Sequence, residues 1–178
     1  MDAIEELRVR AKILHRSLNA AGENAIKRLR GLPQFRRSSA QELIRIATET
    51  KRQDCLAILA AELGFPNWPQ AKMVLAGEGE AEDFGTLLCP ARCGAHLSRW
   101  YKGYEEAAEV RGALGGYLLA YRHQYLVVDR FYIESLGLDP DDPDWEALGY
   151  DWVRPGDVAA RTRLYSKLVA SLPRETGG

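Results

Sequence analysis

One stretch limits what this chain can fold into. "YLLAYRHQYLVVD", residues 117–129, is the only convincing β region: Tyr, Leu and Val dominate, and a polar Arg-His-Gln sits between two apolar runs. It reads as a hairpin or as one long strand. Almost everything else carries helical spacing or loop chemistry. The expectation is therefore an α+β protein, predominantly α-helical, with an N-terminal helical bundle followed by helices around one small β-hairpin.

The helices are punctuated clearly. Ile4, Leu7, Ala11, Leu14 and Leu18 form a single stripe, with Asp2, Glu5 and Glu6 at the end where the helix dipole favours negative charge. "ENAIKRLRGLPQFRR" is a short basic helical piece stopped by Gly31 and Pro33. Ser39 and Glu42 make a capping box before Leu43, Ile44 and Ile46. A helix follows over roughly Lys51 to Leu63, and another begins at Asn67 with Pro69 in its first turn and ends at Gly77. "GEGEAEDFG", residues 77–85, reads as a linker between a basic bundle, 1–76, and an α+β domain, 86–178. Beyond it the pattern predicts helices over Ser98 to Leu114, after Asp129, after Asp142-Pro143 and from Val158 to Leu172.

Charge divides at the same place. Residues 1–75 hold 13 Lys/Arg against 8 Asp/Glu, and the remainder holds 11 against 17, although the net charge is only −1. Arg36, Arg37, Arg45, Lys51 and Arg52 are candidates for a sequence-blind phosphate or partner patch. The three cysteines, Cys55, Cys89 and Cys93, cannot all pair within one chain, which favours a reducing cytoplasm. No apolar run approaches the ~18–20 residues of a membrane helix, and the acidic start has no signal-peptide pattern. No membrane association is expected.

At "LAILAAELGFPNWPQAKMVL", residues 56–75, the chain resembles a small bacterial helical module found in glyoxalase-related proteins. The pattern is carried by Leu63-Gly64-Phe65-Pro66-Asn67-Trp68 and spans about residues 38–77. The whole chain is also similar to proteobacterial proteins without an assigned activity. The resemblance implies a helical hairpin and no glyoxalase chemistry, because His15, His96 and His123 are the only histidines and strands are few. The hairpin could be read as a helix–turn–helix, but its second helix offers only Gln70 and Lys72 as base or phosphate contacts.

"CPARCGAH", residues 89–96, concentrates the reactive side chains. Cys89, Cys93 and His96, with His123 as a distant fourth, have a spacing unlike the usual zinc knuckle. Cys93 ahead of the helix expected from Ser98, with Arg92 and His96 near, could be an activated thiol. The alternative reading has both cysteines as small buried groups and His96 as a cap or core residue. Arg92, Cys93, His96, Trp100, Tyr121, Arg122 and His123 are the candidate ligand or partner residues. "DPDDPDW" lacks the register of a calcium loop, and no phosphate-binding or hydrolase motif occurs.

These patterns together predict a non-enzymatic interaction or regulatory protein, with no catalytic residues, metal or cofactor assigned. A protein partner is expected, with nucleic acid as the other class and self-association through the first helix as a third expectation. The competing expectation is a metal- or thiol-dependent enzyme or ligand binder centred on Cys93, His96 and Arg92.

Overall fold

A computed structural model describes residues 1–78 and 82–173. The first half is a stack of helices around α1, Ala3–Asn19, whose stripe from Ile4 to Leu18 is buried. Asp2 accepts the Glu5 N–H at 2.7 Å and closes a capping box that fixes where α1 starts. α2 (Glu23–Arg28) and two short 3₁₀ turns lead to α3 (Ala40–Glu49), which begins at the Ser39–Glu42 capping box. α3 buries Leu43 and Ala47 while Ile44 is 49% exposed, so the apolar face lies one position away from the expected one. α4 (Arg52–Glu62) and α5 (Trp68–Ala76) form the helical hairpin, and both pack on α1.

Gly64 joins these helices at φ +80°, and a Cβ there would stand 2.7 Å from the backbone nitrogen of Thr86. Only glycine accepts both the backbone angle and that approach. Thr86 donates its N–H to the Leu63 carbonyl at 2.8 Å, and Phe84, Leu87 and Leu88 are buried beside it. Of the segment expected to be a linker, residues 79–81 lie outside the described residues, while Asp83 and Phe84 are buried.

The sheet has three antiparallel strands in the order β1-β3-β2: β1 Arg99–Tyr101, β2 Tyr117–Tyr121 and β3 Gln124–Val128. β2 and β3 form the hairpin, with Leu119 opposite Leu126. β1 corrects the expectation of a helix from Ser98. Arg99, Trp100 and Tyr101 pair with Val127, Leu126 and Tyr125, and α6 starts only at Tyr104, after Gly103 (α6 is Tyr104–Leu114). Trp100 and Tyr101, aromatic and beside a strand edge, gain more from the ladder than from helix propensity. α6 covers the sheet face bearing Leu118 and Val127. The opposite face, with Tyr117, Leu119, Leu126 and Val128, belongs to the main core.

α7 (Arg130–Leu136) is capped by Asp129, α8 (Pro143–Ala147) by Asp142, and α9 (Val158–Ser171) by Asp157. Trp145, Trp152, Tyr165 and Tyr117 pack ring against ring, with centroids 4.8–5.4 Å apart. α9 then returns to α1. Arg10 holds the junction, donating to the carbonyls of Val169, Leu172 and Pro173 while its Nε–H meets Glu6 at 2.9 Å. One buried cluster runs from Ala3 to Val169 through both ends of the chain. No helix among the described residues is long and apolar enough to cross a membrane.

Candidate functional site

The candidate residues fall into separate groups, built on different elements. Arg92, Cys93 and His96 gather at the C-terminal end of α7. The last carbonyls of a helix lack intrahelical donors and carry partial negative charge. Arg92 supplies donors there, to the Ser135 carbonyl at 2.8 Å and the Leu136 carbonyl at 2.7 Å. His96 Nε2 lies 2.7 Å from Ser135 Oγ, and its ring meets Tyr132 edge-on at 5.9 Å. Cys93 is 1% exposed and sits in a 3₁₀ turn, not ahead of a helix as expected. Burial pushes its thiol above the usual value, and the nearby Arg92 charge offsets only part of that. A thiol held neutral and covered is the reverse of an activated nucleophile. Among the described residues no three His, Cys, Asp or Glu side chains are grouped to hold a metal ion.

Arg122 and His123 form the hairpin turn, where Arg122 adopts φ +51°. The turn is strapped to the preceding segment on both sides. Arg122 donates its N–H to the Gly85 carbonyl at 2.8 Å, and Phe84 donates to the Arg122 carbonyl at 3.1 Å. His123 Nδ1 is 2.8 Å from the Glu82 carbonyl, and Asp83 lies 3.8 Å from both Arg122 and His123. Trp100 and Tyr121 meet edge to face at 5.7 Å on the sheet, with Trp100 still 44% exposed. The candidate residues thus lie in separate places, at a helix end, at the hairpin turn and on the sheet, each engaged with its own chain.

The basic residues present another picture. Arg36 and Arg37 follow the second 3₁₀ turn, Arg45 points outward from α3, and Lys51 and Arg52 open α4. All five are exposed, and none forms an ion pair among the described residues. Of the acids between and beside them, Glu42 is engaged by its own capping box, which with the Arg45 charge holds its carboxyl below the ordinary range, and Asp54 accepts the Lys51 N–H at 2.8 Å. Several cations past residue 82 are paired. Arg130 pairs with Asp141, Arg154 with Glu105, and Arg163 and Lys167 with Asp144. Arg161 is buried and donates to the Trp152 carbonyl at 2.9 Å.

α5 cannot serve as a projecting reading helix. It packs against α1, α4 and α9, with Ala71, Val74 and Leu75 buried, and Lys72 is its one exposed charge.

A groove of about 560 Å³ lies between α1, α4 and the end of α9. Val9, Ile13, Leu59, Leu63 and Leu172 give it apolar walls, and the Arg10–Glu6 and Arg28–Glu62 pairs lie at its sides. Sequence reasoning missed it. The available signal was Val9 and Ile13, four residues apart and off the buried stripe of α1. Compared with known proteins, the chain matches no family model, no curated protein and no solved structure.

Proposed function

We propose that this is a non-enzymatic interaction protein whose helical N-terminal half holds an anionic partner, an acidic protein surface or a nucleic-acid backbone. One observation carries the reading. Arg36, Arg37, Arg45, Lys51 and Arg52 are exposed without ion pairs, while Arg122, Arg130, Arg154, Arg163 and Lys167 in the acidic half each meet a carboxylate within the fold. Unneutralised guanidinium groups present forks suited to carboxylate and phosphate oxygens. The buried face of α5 argues for binding to charge and not to base sequence.

The test is a salt titration of binding to a labelled mixed-sequence duplex, with polyglutamate as the acidic-polypeptide probe. Five phosphate contacts correspond to a log–log salt slope of about −4.5. Arg36→Glu with Arg37→Glu and Arg45→Glu should abolish binding to whichever probe is held. Duplex binding alone selects the nucleic-acid form, and polyglutamate binding alone selects the protein form. Failure to bind either at low salt removes the reading.

A further inference from the structure

We infer that α1 pairs with the α1 of a second copy of this chain, antiparallel about a two-fold axis. The outward face of α1 is a seam of exposed residues running Asp2, Glu5, Val9, Lys12, Ile13, Arg16. Asp2 and Glu5 are acidic at one end and Arg16 is basic at the other; Lys12 lies between the apolar Val9 and Ile13, and Arg8 is exposed on the flank. Val9 and Ile13 are 43% and 42% exposed at the centre, so the seam has an unpartnered apolar middle. At 1.5 Å per residue, Glu5 and Arg16 stand about 16 Å apart, on either side of that middle.

The ends of this seam, Glu5 and Arg16, complement each other in one direction only. Antiparallel pairing with Val9 against the second copy's Ile13 brings Glu5 of each chain to Arg16 of the other. Parallel pairing sets Glu5 against Glu5 and Arg16 against Arg16. A surface that meets its own copy across a two-fold axis is the ordinary form of a homodimer contact. The groups are available for it. Lys12 and Arg16 form no ion pair among the described residues, and Glu5 takes only the long 3.4 Å bond from the Asp2 N–H.

The groove explains how a seam with two central apolar residues becomes a usable contact. Val9 and Ile13 form its edge, and Leu59, Leu63 and Leu172 continue the apolar surface beyond them. The second copy's Val9 and Ile13 would project into this space. The charged groups at the groove, Glu6 with Arg10 and Arg28 with Glu62, already pair with each other, so the groove does not select a small charged ligand. The seam shares no residue with the basic patch, and the inference stands apart from the function proposed above.

Sedimentation equilibrium over a concentration series tests it on the full chain. The expected result is a monomer–dimer equilibrium that weakens with salt. Arg16→Glu should raise the dimer dissociation constant about tenfold, and Glu5→Lys added to it should restore the dimer. Circular dichroism on each variant separates loss of pairing from loss of the helix. Direction is read by crosslinking in a Cys89→Ser background. Val9→Cys mixed with Ile13→Cys should give the mixed disulfide in preference to either self-linked product. Preferred self-linking at position 9 would indicate parallel pairing, and a monomer at every concentration would leave the groove to another occupant. Either result overturns the inference.

Discussion

His96 and Ser135 meet at 2.7 Å, imidazole to hydroxyl, at the end of the same helix whose carbonyls Arg92 holds. The polar residues of the 89–96 segment thus close α7, and the segment is fastened to the domain through that helix end. Replacing Arg92 by Ala strips two carbonyls of their charged donor. A loss of about 1–2 kcal/mol is expected in urea denaturation. Arg92→Lys should recover only part of it, because one ammonium does not reproduce the two-pronged contact.

Thiol chemistry gives an independent check on this structural role. Cys93 and Cys55 are buried, and burial pushes the Cys55 thiol up to about 11 and raises that of Cys93. Cys89 is only partly covered. Ellman's reagent should therefore label Cys89 in the native protein, with Cys55 and Cys93 following at the rate of unfolding. Rapid labelling of native Cys93 would restore the case for a reactive thiol.

The helix starts were legible because each is written in a few adjacent residues. Asp2, Ser39, Asn67, Asp129 and Asp142 all cap where local chemistry places them. β1 was not legible, because Arg99–Tyr101 becomes a strand through its partner Val127–Tyr125, some 25 residues later in the chain. At the candidate site, residue type alone picked out Arg92 and His96, and their meeting at the end of α7, Arg92 with its carbonyls and His96 with the Ser135 hydroxyl, depends on a helix some 40 residues later in the chain. The basic patch was visible as composition, whereas its lack of ion pairs depends on where the acids fold.

Gly64 should tolerate no side chain. Alanine there would hold φ +80° against its preference and press its Cβ to 2.4 Å from the Thr86 side chain and 2.7 Å from the Thr86 nitrogen. The expected loss is at least about 2 kcal/mol by thermal or urea unfolding. Thr86→Ala should not rescue it, since the nitrogen is backbone and remains in place. Full rescue would mean that the turn relaxes and that the 84–88 segment is not anchored through this approach.

Asp144 makes the stability of the C-terminal half depend on pH. Its carboxylate accepts from Arg163 at 2.7 Å and from Lys167 at 2.9 Å, and the residue is 7% exposed. The Arg163 hydrogen bond, assisted by Lys167, holds its pKa below the ordinary 3.8 against the opposing effect of burial. The folded state therefore binds this proton less readily than the unfolded chain. The resulting stabilisation is complete above the unfolded value and disappears as pH falls through the folded one. Asp144→Asn should cost about 1 kcal/mol at neutral pH, a modest figure because both cations are about half exposed. Urea midpoints of the two proteins should converge as the solution is acidified below 3.8. A gap that stays constant down the acid limb would show that the carboxylate's charge is not what holds α8 to α9.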